Sequence, residues 1–148
     1  MTVVWFKKSP ANMNIEVTLF YTTIISIFLL VLSVRVIDLR GSPVTKFMHT
    51  AERKIEEQTL ERAIRGHGNL IEYAPLFLIL MFILELSGAS TQLLYLSGLI
   101  FTLGRFMHGI VYAFMKPNLF MRIGGMSLTF LGMISLILIA MQIFFKTI

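Results

Sequence analysis

The stretch RAIRGHGNLIEYAPLFLILMFILEL, Arg62 to Leu86, begins as a polar string and ends as an almost wholly apolar one. Its second half reads as a membrane-spanning helix. Its first half carries Arg62, Arg65, His67, Asn69 and Glu72, the residue types that hydrocarbon excludes. Ionisable groups at membrane depth are costly and turn toward a bundle interior or a wet cavity. The spacing of these residues therefore bears on both fold and function.

Composition supports the membrane reading. The chain has 148 residues, of which 56% are hydrophobic and 14% charged, and its mean hydropathy is +0.80. A soluble domain carries about a quarter charged residues. Three further apolar runs approach or exceed the roughly 20 residues that cross a bilayer: Ile15 to Val34, Leu93 to Met115 and Ile123 to Phe145. The first is too long for the apolar core of a secretory signal and no small-residue cleavage site follows it, so it reads as a retained helix. The expected fold is an all-α integral membrane protein, a four-transmembrane-helix bundle in one domain, with helices at about 15–36, 52–86, 92–115 and 120–145. The chain has no cysteine, which excludes disulfides, thiolate metal sites and a cysteine nucleophile. The net charge of +5 reads as a topology signal, not as a nucleic-acid footprint.

Basic residues crowd the segment from Arg35 to Arg65, return at Lys116 and Arg122, and are absent from the turn SGASTQ. The positive-inside rule then places the first and third loops in the cytosol and both termini outside, although Lys7 and Lys8 oppose it. The first loop, rich in Glu, Lys, Arg and Ala, is expected to extend the second helix into the cytosol.

Arg65, Asn69 and Glu72 lie at i, i+4 and i+7, with Arg62 one turn earlier and Tyr73 at the border, so they form one stripe on one helix face. His67 points about 200° away from Arg65 by the same geometry. Such a helix offers a polar face to one neighbour and a histidine to another, which suits a site between subunits. Pro75 is expected to loosen the turn after Glu72, and proline is also simply tolerated in membrane helices. In GRFMHGIVY, Arg105, His108 and Tyr112 share a face. Arg105 lies about ten residues from the cytosolic end, deep in the bilayer, and calls for a carboxylate partner, for which Glu72 is the natural candidate. That pair serves a ligand or only holds helices in register. Arg122 opens the fourth helix either as an interfacial anchor or as a cation facing an anion or thiolate. A metal site from His67, His108 and Glu72 lacks tight ligand spacing and is not expected. The glycines of the third and fourth helices supply surfaces for close packing. Together the guanidiniums, amide, carboxylate and tyrosines match a small zwitterionic ligand with several carboxylates and one amine.

ERAIRGHGNLIEYAPLFL, followed by GRFMHGIVY and a basic residue early in the fourth helix, resembles the MAPEG family of membrane-associated proteins in eicosanoid and glutathione metabolism. The shared pattern is Arg65, His67, Asn69, Glu72 and Pro75, and the resemblance runs from Ile15 to about Phe145. It implies a homotrimer with glutathione as co-substrate, bound at each subunit interface on the cytosolic side. By position, Arg65, Asn69, Glu72, Tyr73, Arg105, His108 and Tyr112 are implied to contact glutathione, with Arg35 and His67 reaching in from the neighbouring subunit. Arg122 is implied to stabilise the thiolate. A tyrosine that some relatives carry just inside the fourth helix is replaced here near Gly125 and Met126. The implied activity is a transferase or peroxidase acting on lipophilic electrophiles or hydroperoxides in a bacterial inner membrane or an endoplasmic-reticulum-type membrane. A non-enzymatic lipid-binding or scaffold protein of the same fold is the alternative, since fold alone does not establish catalysis. A transporter or channel subunit would need polar residues through the full depth, and the outer half holds only Glu85.

Overall fold

The computed structural model describes residues 15–43 and 57–147. They form four helices: α1 (Glu16–Leu39), α2 (Glu57–Leu86), α3 (Thr91–Ala113) and α4 (Leu119–Thr147). All four are long and apolar enough to cross a membrane. The expected extension of α2 toward residue 52, and Lys7 and Lys8, lie outside the described residues. Within them α2 continues through Pro75 without a break.

Each helix end follows from local chemistry. Gly41 and Gly88 take positive φ, at 73° and 77°, immediately after α1 and α2. There the N–H groups of Gly41 and Ser42 return to the carbonyls of Asp38 and Ile37, and those of Gly88 and Ala89 to Glu85 and Leu84. This is the Schellman stop, which needs a left-handed residue that only glycine adopts cheaply. Asn118 opens α4 by accepting the Met121 N–H on its side-chain oxygen at 3.1 Å. The start of α1 has no side-chain cap of its own. Glu85, reaching across from the end of α2, accepts the N–H groups of Val17 and Thr18 at 2.8 Å each. A carboxylate on the orphan donors of a helix N-terminus satisfies both hydrogen bonding and the helix dipole. That explains the acidic residue in an otherwise apolar half.

Both α2 and α3 pack against each of the other helices, with the α3–α4 contact the most extensive, whereas the described residues of α1 and α4 do not meet. Phe77 of α2 stacks on Phe101 of α3 with ring centroids 3.8 Å apart. Leu32, Met81, Leu94 and Leu136 are fully buried in the same core. Leu19, Ile27 and Leu30 of α1 and Leu131 and Leu138 of α4 point outward. Outward aliphatic residues on helices of this length face lipid, which solvates them as well as a protein core does. The α3–α4 contact is backbone on backbone. A Cβ on Gly104 would stand 2.7 Å from the Gly125 carbonyl oxygen, and one on Gly125 would stand 2.9 Å from the Gly104 carbonyl oxygen. Small residues are what let two membrane helices approach this closely.

Gly104→Ala is expected to lower the thermal midpoint of the detergent-solubilised protein, at a cost of about 1–3 kcal/mol from overpacking. Gly124→Ala, whose nearest obstacle is the flexible end of Met107 at 3.3 Å, is expected to leave it nearly unchanged. Equal midpoints for the two variants would remove the close-packing account.

Candidate functional site

The antiparallel arrangement gathers the C-terminal ends of α1 and α3 with the N-terminal ends of α2 and α4. Nearly every polar residue singled out in the sequence lies at that end. On α2, Arg65 and Glu72 are exposed, while Asn69 and Tyr73 are half-buried. Asn69 donates its side-chain amide to the Arg65 carbonyl at 3.1 Å.

Arg105 is 2% exposed, one of the most deeply buried side chains in the protein. Its expected pairing with Glu72 does not form. Its Nε donates to Thr129 Oγ1 at 2.8 Å, its Nη1 to the Asn69 carbonyl at 3.3 Å and its Nη2 to Met126 Sδ at 3.5 Å. The guanidinium lies 5.0 Å from the centre of the Tyr73 ring. The register between α3 and α4 decides this: Thr129, itself bonded to the Gly125 carbonyl, fills the position where a carboxylate was expected. Glu72 points away from the bundle instead.

Above Arg105 lies a cleft of about 400 Å³ lined by His108 and Tyr112 of α3 and by Leu119, Arg122, Ile123, Met126, Ser127 and Phe130. Arg122 is exposed, and its guanidinium stands 5.3 Å from the Tyr112 ring centre. The Tyr112 ring in turn lies 4.7 Å from that of His108. His108 is buried, and its Nδ1 has no hydrogen-bond partner among the described residues. The cleft meets α2 at Tyr73, whose ring lies 6.2 Å from that of Phe130; Arg105, bonded to the Asn69 carbonyl of α2, touches Met126 of the cleft wall.

Two other arginines have tasks that within-helix spacing does not disclose. Arg62 Nη2 donates to the carbonyls of Val111 and Met115 at 2.6 and 2.7 Å, and Arg35 Nε to that of Ala113 at 3.1 Å. Together they close the C-terminal end of α3, where orphan carbonyls and the negative end of the helix dipole favour cations. Arg35 also pairs with Asp38 at 3.0 Å. His67 Nε2 lies 3.0 Å from Ser33 Oγ on α1 of the same chain. Ser33, Ser127 and Thr129 were not singled out in the sequence, since hydroxyl groups at bundle positions carry no sequence signal of their own, and Asp38 was passed over as an ordinary charge at the end of the first helix. Gly66 presses against Tyr112, where a Cβ would stand 2.9 Å from that residue's own Cβ. The last turn of α3, and with it the floor of the cleft, is thus held from α2.

Comparison with known proteins gives a family match over residues 18–142, to the MAPEG family. The chain is 37% identical over 79 residues to the inner membrane protein YecN of Escherichia coli K12, and equally so to YecN of Escherichia coli O6:H1. Each alignment covers 53% of this chain and 59% of the relative's length. No solved structure matches.

Arg62→Ala leaves two carbonyls without their charged donor. A loss of about 1.5–3 kcal/mol is expected for such a bond, read as a drop in thermal midpoint that Arg62→Lys restores only in part. An unchanged midpoint in Arg62→Ala would show that the last turn of α3 does not depend on α2.

Proposed function

The chain belongs to the MAPEG family, and from that premise we propose that this multi-pass integral membrane protein is a glutathione-dependent transferase or peroxidase acting on lipophilic electrophiles or hydroperoxides. The supporting observation is the cleft between α3 and α4. It presents an exposed guanidinium, Arg122, with no acidic partner among the described residues, beside the apolar walls of Leu119, Ile123 and Phe130. A cation next to a thiol favours the thiolate, and the thiolate is the nucleophile. In a transfer reaction the S–H bond breaks and its proton leaves to solvent. The sulfur electron pair then forms the new bond while the leaving group departs with its own pair. Apolar walls open to lipid suit an electrophile that arrives from the bilayer.

On the exposed face of α2, Arg65 suits the carboxylates of glutathione and Glu72 its ammonium. Both are exposed on the single chain, and hydrocarbon does not solvate them. Covering that face with a second copy fits a homotrimer with the tripeptide between subunits. Arg35 and His67 are engaged within their own chain, so any contact they make with glutathione bound to a neighbour adds to a structural task. The distribution of basic residues supports termini outside and a cleft open to the cytosol. A second reading, a non-enzymatic lipid binder, draws support from an apolar groove of about 480 Å³ along Ile27, Leu30, Val31 and Val34 of α1.

Turnover separates the readings. Arg122→Ala is expected to slow conjugation of an electrophilic aromatic halide by about a hundredfold or more, the scale of losing one group that stabilises reacting charge. Glutathione binding should weaken far less, and Lys116→Ala should retain turnover. Full turnover in Arg122→Ala with none in Lys116→Ala would reassign the cation, and no turnover in the unaltered protein favours the lipid binder.

A further inference from the structure

Arg105 is a full positive charge, 2% exposed, whose hydrogen-bond partners are a hydroxyl, a backbone carbonyl and a thioether. Among the described residues the ion pair is Arg35 with Asp38, at another place in the bundle. Burying an ion without a counter-ion is among the most expensive things a protein does, and glutamine would fill much of the same space without the charge. The other titratable or charged groups around it are Tyr73 on α2, Glu72 turned outward from α2, His108 and Tyr112 further along α3, and Arg122 on α4. Resting on the glutathione reading above, we infer that Arg105 is a positioning residue which never touches the ligand: it places an uncompensated positive field beneath the α3–α4 cleft, and that field holds the bound sulfur as an anion together with Arg122.

The two guanidiniums divide the work by solvent access. Arg122 is exposed, so salt screens it, whereas Arg105 is sealed and acts through a medium of low dielectric. Across about 10 Å, at an effective dielectric of about 20, one unit charge shifts an ionisation equilibrium roughly tenfold. The packing that seals Arg105, with Met126 between it and the cleft, keeps water from quenching the field.

The experiment measures the thiol pKa of bound glutathione, from the pH dependence of thiolate ultraviolet absorbance, in the full chain in detergent. In Arg105→Gln it should rise by about one unit, a tenfold fall in the thiol's ionisation constant, while Arg105→Lys should stay near the unaltered protein. Should Arg105→Gln fail to fold, Arg122→Gln gives the answer without it. In about 1 M salt, where screening acts beyond about 3 Å, its bound thiol should still titrate below free glutathione. An unchanged thiol pKa in Arg105→Gln, or a value equal to free glutathione in Arg122→Gln at high salt, overturns the inference and leaves the enzyme reading standing. Absence of any bound thiolate in the unaltered protein overturns both.

Discussion

The bond from Arg105 to Thr129, with its companions to Asn69 and Met126, ties α2, α3 and α4 together at one buried cation. A membrane bundle has little hydrophobic drive to bring its helices together, because lipid is as apolar as leucine. Close backbone packing and internal hydrogen bonds do that work instead. Gly104 and Gly125 bring α3 and α4 near enough for Arg105 to reach Thr129, and the same approach packs Gly125 against His108 of the cleft wall. Glycine contact, buried guanidinium and cleft are one arrangement.

The two ends of the bundle solve the problem of unsatisfied helix termini in opposite ways. At one end a carboxylate, Glu85, caps the start of α1; at the other, the cations Arg35 and Arg62 close the finish of α3. The signs match the helix dipole in both cases. What distinguishes the second end is surplus charge. After Arg35 and Arg62 are committed to carbonyls, Arg65 and Glu72 still stand exposed on α2, and Arg122 stands exposed in a cleft with apolar walls. Structural need accounts for part of the polar content at that end, and the proposed glutathione site draws on the rest.

Much of this was legible in the sequence because it depends on spacing within one helix. Four apolar runs gave four helices, and the i, i+4, i+7 series put Arg65, Asn69 and Glu72 on one face. The partners across helices were not legible. Arg105 calls for a counter-charge on energetic grounds, and Glu72 was the available acid. The register of α3 against α4 instead supplies Thr129 and Met126, two residues without any charge to announce them. His67 was correctly turned off the Arg65 face, but Ser33 beside it depends on how α1 lies on α2. Glu85 looked anomalous in an apolar half until the first turn of α1 came within its reach.

Titration of the purified, unaltered protein with glutathione tests the central claim most directly, that the cleft and the α2 stripe together hold this tripeptide. Calorimetry in detergent should show saturable heat in the micromolar to millimolar range usual for enzyme substrates, with a rise in thermal midpoint as the ligand saturates. No heat and no thermal stabilisation at millimolar glutathione would contradict the account.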